Sequence, residues 1–470
     1  MNGMERIQNP LGRSLSFFLK NANNILILLF AFLRGVNYFY KNTWLQAISA
    51  VVLLLVVFRS MPRLKPATRG VILTIILIGA ALLVYKRANF VTWLTAVLSN
   101  GNFVMLLILA PMISAPFYYE DYQSELKTLA QLRMSNLLSF LLLISVTTHI
   151  LAVMISVGAM LINYELLQPF SKLYKGEKPF LRTISRSYSS SGFWSPVWGS
   201  VIVFTAYPDV NWISSIPIGI GLSVVFNAMN LLAVWLEMKR HPGRYPNAVA
   251  EPGASLNKGL LMKMLLVAAG MILSIVLLSH FTGWDLMLIV CVVSLLFPPA
   301  VALIQRRLPR YQAEMGRYWK QQLPKSGSQV AMFLFAGFLG KSLSISGAGD
   351  LLVKLLPTWL TTQPALMCAA IMLMLIIPGV LGMHPVAIGT AMVTALVPAN
   401  LGLTNLTFAL TILTGWLLCI MMAPFSATGL LLASLNGRSS YYNTVGINWL
   451  FSIVSVVVFS LLISWLGPLL

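Results

Sequence analysis

Charged residues are scarce in this sequence. Only 9% of its 470 residues are Asp, Glu, Lys or Arg, and 58% are hydrophobic, whereas a typical soluble domain carries about 25% charged residues. The composition therefore excludes a soluble fold of this size. Apolar runs recur along the chain, and we predict about eleven or twelve of the roughly 20-residue length that crosses a bilayer. One of them is a long span over residues 135–165.

Acidic residues are the scarcer charged class, with 12 Asp and Glu against 32 Lys and Arg in the whole chain. Cation pumps and proton relays usually need carboxylates buried within the membrane. Here the acids nearest to the predicted spans, such as Glu165 and Glu237, fall close to span ends. This distribution argues against a cation as the principal substrate and favours an anionic or zwitterionic one.

Several catalytic and metal-binding patterns are also missing. The three cysteines, Cys291, Cys368 and Cys419, lie in apolar runs without CxxC spacing, which indicates neither a disulfide framework nor a metal site. No Walker A, HExxH or GxSxG motif occurs, so ATP-driven transport and common membrane hydrolysis lack support. We predict that the protein is not an enzyme and that it uses no cofactor beyond a coupling Na⁺ or H⁺.

Positive charge is abundant by comparison, giving a formal net charge of +20. Lys and Arg concentrate in cytoplasmic loops of membrane proteins, and attraction of an anionic substrate or of anionic membrane lipids is a second reason for such an excess. The basic residues are scattered over short loops, which argues against a nucleic-acid partner.

We place these loops and the N-terminus on the cytoplasmic side of a bacterial-type inner membrane, with a retained first helix. The basic loops are predicted at 59–69, 172–186, 239–263 and 306–325.

Two Pro-Val stretches about 190 residues apart are the most informative motif in the chain. Pro and Gly interrupt an apolar stretch in each of them, where a helix would otherwise continue. Paired interruptions in two halves of a membrane protein point to a transporter's binding site near the bilayer midplane. With a one-residue gap, the coinciding pairs are Pro196/Pro385, Val197/Val386, Gly199/Gly389, Val203/Val393 and Pro208/Pro398, and Ser200 falls on Thr390.

Backbone amides and hydroxyls freed at such interruptions can hold an anion at a helix N-terminus. A charged side chain at membrane depth, such as that of Lys341, is also a candidate ligand. The alternatives are a proline-kinked helix whose hydroxyls bond its own backbone, and a lysine that snorkels to the interface. The predicted substrate-binding residues are Ser189, Ser190, Ser191, Ser195, Ser200, Lys341, His384 and Thr390.

Hydroxyls, amides and freed carbonyls near the same interruptions suit a coupling Na⁺. A further break at Pro424–Gly429 has a possible counterpart in the stretch from Ser223 to Asn230. Small-residue helix packing is the alternative explanation for these positions. The predicted ion-binding residues are Gly192, Gly199, Asn227, Gly389, Ser426 and Thr428.

These features divide the all-α chain into N-terminal helices, two repeats, a central section and a C-terminal helix. We expect the repeats to be inverted and to contain re-entrant or broken helices. The predicted regions are 1–100, the first repeat 102–238 with its broken element 189–208, the central helices and basic cytoplasmic loops 239–327, the second repeat 328–437 with its broken element 382–398, and 438–470.

The arrangement resembles the ion transporter superfamily, which includes dicarboxylate/citrate, arsenite, lactate and gluconate permeases. The resemblance covers residues 100–440 and rests on the two broken elements and the second break at Ala423–Gly429. It implies a scaffold and a transport domain that moves like an elevator, with hairpin tips meeting at the substrate. Such carriers are often dimers, so the resemblance allows a homodimer. The Ser-Asn-Thr tripeptide of dicarboxylate carriers is absent, which puts a dicarboxylate substrate in doubt.

The sequence thus predicts a secondary transporter of a small organic anion driven by Na⁺ or H⁺. One alternative is a transporter or flippase of a lipid-linked phosphate, with a lateral groove lined by Arg182, Arg186 and Lys341. A second alternative is a membrane glycopolymer polymerase or ligase, although such enzymes usually need a large outer loop.

Overall fold

A computed structural model of the chain describes residues 10–64, 66–122, 124–125, 128, 136–205, 207, 210–247, 257–347, 356–383 and 385–467. These residues form helices and no strand. Ten helical segments in the described part are long and apolar enough to cross a membrane, and two shorter apolar helices accompany them. The prediction of an all-α, multi-pass membrane protein is therefore confirmed.

The first helices precede any of the predicted breaks. They are α1 (Pro10–Tyr40), α2 (Thr43–Ser60), α3 (Pro66–Tyr85), α4 (Phe90–Val97) and α5 (Gly101–Leu109), with a 3₁₀ segment at Ala110–Tyr118. The chain turns between α4 and α5, and Asn100 in this turn donates a 3.0 Å hydrogen bond to the carbonyl of Phe333.

Five helices follow, and then a central group of four. The five are α6 (Leu137–Ile155), α7 (Gly158–Leu173), α8 (Glu177–Ser191), α9 (Gly199–Phe204) and α10 (Trp212–Arg240). The four are α11 (Lys258–Thr282), α12 (Leu286–Ile304), α13 (Leu308–Arg317) and α14 (Ser326–Ser346).

The C-terminal part begins with a single helical turn. Its helices are α15 (Thr358–Thr361), α16 (Pro364–Val380), α17 (Pro385–Ala395), α18 (Asn405–Met422), α19 (Ala427–Asn436) and α20 (Ile447–Leu466).

Helices α6 and α7 form a hairpin that turns at Ser156, whose φ of 47° is rare outside glycine. The two helices lie antiparallel and side by side, and Thr147 Oγ1 of α6 donates a 3.1 Å hydrogen bond to Asn163 Oδ1 of α7. At the open end, Gly176 packs against Leu137. The prediction of one long span over 135–165 is therefore wrong, since the chain reverses in the middle of that apolar run.

Helices α16 and α17 form a second hairpin. Its turn contains Gly382 at φ +109°, a conformation that L-residues rarely adopt. Gly389 of α17 lies beside Leu375 of α16, seven residues on either side of Gly382. Helix α17 begins at Pro385, as the sequence predicts, because proline suits the first turn of a helix.

The two hairpins enter from opposite ends of the bundle. Helix α20 starts beside α8, where Arg182 Nε donates a 3.3 Å hydrogen bond to the carbonyl of Ile447, near the open end of the first hairpin. It ends beside Thr407 at the start of α18, against which Gly467 packs. Helix α18 in turn lies along α16, with Thr411 Oγ1 3.1 Å from Cys368 Sγ. The second hairpin therefore opens at the far end.

A broken crossing and a long helix follow each hairpin. Helices α8 and α9 are separated by an interruption at 192–198, and α18 and α19 by one at 423–426. The order hairpin, broken crossing, long helix thus occurs over α6–α10 and again, inverted, over α16–α20. These units run over 137–240 and 364–466, whereas the sequence predicts repeats over 102–238 and 328–437, and that predicted division stays a prediction. The two aligned Pro-Val stretches nevertheless take different roles: one is a break in a crossing helix and the other a hairpin turn.

The remaining helices pack on one side of these units. Helix α14 contacts α3, α5 and α17, and its Gly340 lies directly against Ala391 and Thr394 of α17. Phe103 of α5 and Phe333 of α14 have ring centroids 6.2 Å apart. Helices α5 and α14 therefore form a wall against which the two repeated units rest.

An ionic contact beyond the 3₁₀ segment gives a pH prediction. Glu120 pairs with Lys263 and, at 3.0 Å, with Arg307, and hydrogen bonding by Lys263 holds the pKa of the Glu120 carboxyl below its ordinary value. A depressed carboxyl pKa stabilises the fold above the unfolded pKa of about 4.3 and stops doing so as pH falls through the folded pKa. We expect the melting temperature of Glu120→Gln to be lower at pH 7 and to fall less on acidification.

Thermal unfolding in detergent from pH 7 to pH 3 measures this effect. Asp121→Asn is the matched control, because Asp121 is exposed and its hydrogen bonds to the described residues are local ones with Ser124. An identical acid response in wild type and Glu120→Gln would show that Glu120 is not the group concerned.

Candidate functional site

A cavity of about 460 Å³ lies where the hairpin turns and the helix breaks meet. Each of these four irregular segments contributes to its wall. The lining residues from these segments are Ser156, Val157 and Gly158 of the first hairpin, Pro385 of the second, Trp198 and Gly199 of the first break, and Ser426, Ala427 and Thr428 of the second. Irregular backbone is tolerated at membrane depth where it lines a cavity, so this convergence marks the candidate site.

The wall formed by α5, the 3₁₀ segment and α14 closes the other side of the cavity. Its contributions are mainly apolar, and the polar exceptions are Ser114, Tyr118, Gln329 and, just before α14, Gln322. Gly158 at the first hairpin turn faces the Tyr118 hydroxyl, which a Cβ atom would approach to 3.0 Å. The cavity is thus shared between the repeated units and the opposing wall.

No Asp, Glu, Lys, Arg or His is among the described residues that line this cavity. Four helices begin at it: α7 at Gly158, the short α9 at Gly199, α17 at Pro385 and α19 at Ala427. The first amides of a helix have no intrahelical partner, and its N-terminus carries partial positive charge. The cavity therefore presents positive helix ends without a competing carboxylate, and it can accept an anion.

Thr428 supplies a buried hydroxyl at this point, with no hydrogen bond of normal geometry to the other described residues. The residue is 1% exposed, and its Oγ1 is buried without a hydrogen bond of normal geometry, although the Tyr188 hydroxyl lies nearby. Buried polar atoms are nearly always bonded, so an unpartnered one beside a cavity points to a ligand. Its neighbour Ser426 instead caps α19, accepting a 3.1 Å hydrogen bond from the Gly429 amide.

The first break is held in place from two sides. Ser195 Oγ donates to the carbonyl of Val153 (3.0 Å), and Trp198 Nε1 donates to that of Ala152 (3.3 Å). Trp212 Nε1 of α10 donates to the carbonyl of Trp194 (2.9 Å). These bonds satisfy carbonyls at the end of α6 and fix the position of Gly199 at the cavity.

Most of the predicted substrate-binding serines donate hydrogen bonds from their hydroxyls to backbone carbonyls. The bonds run from Ser189 to Ser185, from Ser191 to Tyr188, from Ser195 to Val153 and from Ser200 to Gly192, at 2.8 to 3.1 Å. The structure therefore places these four hydroxyls behind the cavity wall, where they support the backbone.

Ser190 and Asn227 belong to a buried polar network between α6, α8 and α10. Asn227 Nδ2 donates to Ser190 Oγ at 2.7 Å, and Asn227 Oδ1 accepts from Ser145 and Ser187 at 2.8 Å. His149 joins the network through Nδ1, 2.8 Å from Ser190 Oγ. Its Nε2 accepts a 3.0 Å hydrogen bond from Trp194 Nε1, so the ring is neutral with its proton on Nδ1. Ser223–Asn230, the suggested counterpart of the break at 424–429, lies within the continuous helix α10.

Three of the predicted ion-binding residues are glycines that pack against the rings of Trp198 and Trp416. A Cβ atom on Gly389 would lie 2.6 Å from the Trp416 ring, and one on Gly199 would lie 3.8 Å from the same ring. Gly192 packs in the same way against Trp198 and Leu417. Trp416 and Trp198 both line the cavity, so Gly389 and Gly192 allow these rings to take their places in its wall.

The other predicted residues lie apart from the cavity lining or cannot be placed. Thr390 is buried in α17, and Lys341 lies on α14; neither contributes to the lining. His384 lies outside the described residues. Of the predicted site residues, the structure brings Gly199, Ser426 and Thr428 together at the cavity.

Arg182 and Arg186 lie on helix α8, whereas the sequence predicts a basic loop over 172–186. Arg186 is 4% exposed and donates 3.0 Å hydrogen bonds to Asn448 Oδ1, Asn230 Oδ1 and the carbonyl of Ile447. Arg182 pairs with Glu237 at 2.9 Å. Because Arg186 is buried, it does not line the lateral groove that the lipid-carrier alternative requires.

Sequence reasoning also missed the turn of the first hairpin, Ser156–Gly158. The available signal was length, since a run of about 30 residues is too long for one crossing, and the adjacent Ser and Gly mark a place to reverse.

No protein-family model matches this chain, and no curated protein matches it. Among solved structures, the chain is similar to the crystal structure of the YdaH transporter of Alcanivorax borkumensis, which has an unusual topology. The TM-score is 0.49 at 13% sequence identity, and the match covers 81% of this chain and 89% of that one.

Proposed function

We propose that this membrane protein is a secondary active transporter of a small organic anion, coupled to Na⁺ or H⁺. The observation that carries the proposal is the central cavity, at which α7, α17 and α19 begin and whose described lining contains no charged side chain. An anion there meets partial positive charge from helix ends and no repelling carboxylate. The largely apolar remainder of the lining suits the carbon skeleton of an organic molecule.

The two-part wall of the cavity suits alternating access. The cavity has one wall from the hairpins and breaks and another from α5, the 3₁₀ segment and α14. If the unit of α6–α10 and α16–α20 slides along that wall, the same cavity opens to either side in turn, as in an elevator mechanism. The direct packing of Gly340 on Ala391 and Thr394 gives a surface with small side chains for such sliding.

The coupling ion has candidate ligands near the same place. Gly199, Ser426 and Thr428 line the cavity, so we favour their carbonyls and hydroxyls among the proposed ion ligands. Asn227 and Ser190 bond one another, and in the proposed mechanism they shape the site from behind.

Thr428→Val tests the site, because it removes the unpartnered hydroxyl and keeps the side-chain volume. We expect uptake of the transported anion into proteoliposomes to fall about tenfold or more, since a charge-assisted hydrogen bond is worth about 1.5–3 kcal/mol. The melting temperature should stay within 2 °C or so, or rise, because no internal hydrogen bond of normal geometry is lost. A thermal-shift screen of monocarboxylates and phosphates, with and without Na⁺, identifies the anion to use.

Thr414→Val is the matched control. Thr414 is equally buried and lies on α18, and within the described part of the chain its hydroxyl bonds the Leu410 carbonyl of its own helix at 2.8 Å. It should retain uptake. Equal uptake by wild type and Thr428→Val, or a screen in which no anion raises the melting temperature, would contradict the proposal.

A further inference from the structure

We infer that a second, basic cavity binds a phosphate-bearing ligand at the membrane surface. This cavity of about 660 Å³ lies between the α7–α8 connection and the end of α19. Three lysines and one arginine line it, against a single acidic residue, Glu177. The four basic residues are Lys172, Lys175, Lys178 and Arg438. The inference does not depend on the proposed transport function.

The four basic side chains form no ion pair with a carboxylate of the residues that the structure describes. The ion pairs found among the described residues use other cations, namely Arg182, Arg244, Lys263, Arg307 and Arg317. Like charges gathered around one cavity repel one another, and a bound dianion would remove that repulsion. Arg438 is already positioned, with its guanidinium 4.5 Å from the centroid of the Tyr442 ring.

The floor of the cavity adds neutral donors. Helix α8 begins here at Glu177, and its N-cap is Gly176, which offers no side chain to the first amides. Gln168 of α7 lies on one side and Asn436 of α19 on the other. Ser171 also lines the cavity, but its hydroxyl already donates a 2.7 Å hydrogen bond to the Gln168 carbonyl. A phosphate group has several strong acceptor oxygens, and this combination of lysines, an arginine and helix-start amides matches it.

The position of the cavity in the fold indicates where the ligand comes from. Helices α7 and α19 both start at the central cavity and end here. Ten residues of α19 at about 1.5 Å each span roughly 15 Å, which takes the chain from the membrane interior to its surface. The ligand is therefore the phosphate of an anionic phospholipid headgroup or of a soluble phosphate ester.

The double variant Lys175→Gln/Arg438→Gln tests the inference on the full-length protein. Both residues are exposed, so the variant should fold normally. In detergent, the probes are inorganic phosphate and glycerol 3-phosphate; in nanodiscs, the probe is phosphatidylglycerol in a phosphatidylcholine background. We expect binding of one probe class, measured by thermal shift and native mass spectrometry, to weaken at least tenfold in the variant. Lys320→Gln, an exposed lysine away from this cavity, should bind as the wild type does.

The two arms separate the sources of the phosphate. Loss confined to phosphatidylglycerol identifies a lipid headgroup, and loss confined to the soluble probes identifies a phosphate ester. If no probe raises the melting temperature of the wild type, or if Lys320→Gln weakens binding as much as the double variant, the inference is overturned.

Discussion

Gly219→Ala is expected to destabilise the protein and abolish transport, whereas Gly221→Ala, two residues away on the same helix, should do neither. A Cβ atom on Gly219 would lie 2.5 Å from the carbonyl oxygen of Phe193 and 2.8 Å from Trp194 Cβ. A rigid backbone atom cannot give way as a flexible side-chain end can. Overpacking of this kind costs about 1–3 kcal/mol, which outweighs the gain of about 1 kcal/mol from replacing glycine by alanine in a helix.

The functional loss has a separate cause. Phe193 and Trp194 belong to the first break, which continues to Trp198 and Gly199 at the cavity. Pushing this segment away from α10 displaces the cavity wall itself. We therefore expect proteoliposome uptake to fall more than tenfold even at temperatures where Gly219→Ala remains folded.

Gly221 supplies the control, because no atom lies within 4 Å of a Cβ atom added there. Its alanine variant should melt at the wild-type temperature or slightly above it, and should transport normally. The two variants carry the same substitution two residues apart on one helix, yet the expected changes in melting temperature have opposite signs. Equal melting temperatures for Gly219→Ala and Gly221→Ala would show that α10 does not hold the break as described.

The fold class could be predicted because it depends on composition. Long apolar runs with few charges leave little choice but membrane helices, and Pro with Gly inside such runs marks broken elements. The sequence could not assign those elements their roles. Pro196 and Pro385 stand in similar local sequence, yet one lies in a break and the other starts the returning helix of a hairpin. Which helices pair is decided by contacts such as that of Thr147 with Asn163, which are not visible in a local pattern.

Individual site residues were predictable only where local rules decide them. Ser426 caps a helix, as Ser before an apolar run often does, and Thr428 follows it into the cavity. The serines before Pro196 look equally suitable in sequence, but buried hydroxyls bond the nearest carbonyls first. The positions of basic residues were the hardest to predict from the sequence. A cluster of Lys and Arg suggests a solvated loop, yet Arg186 of that cluster lies inside the bundle.

Arg186 therefore leads to the second large prediction: Arg186→Gln should destabilise the protein more than Arg182→Gln, although only Arg182 forms a salt bridge. Arg186 makes hydrogen bonds to Asn448, Asn230 and the Ile447 carbonyl, and its guanidinium lies 4.1 Å from the centroid of the Phe451 ring. None of these partners is charged. Glutamine is too short to reach the same acceptors, so buried amide and carbonyl oxygens lose their donors. We expect a cost of about 3 kcal/mol, seen as a lower melting temperature in detergent.

Arg182→Gln is the matched comparison, one helical turn earlier. Both members of its pair with Glu237 have side chains 22% exposed, and ion pairs in contact with solvent are worth about 1 kcal/mol or less. Arg186→Lys refines the test, because it retains the charge but loses the planar arrangement of donors. An intermediate melting temperature for Arg186→Lys would assign the stabilisation largely to hydrogen-bond geometry. A larger loss in Arg182→Gln than in Arg186→Gln would contradict the prediction, and it would mean that the exposed ion pair, and not the buried guanidinium, joins α8 to α10 and α20.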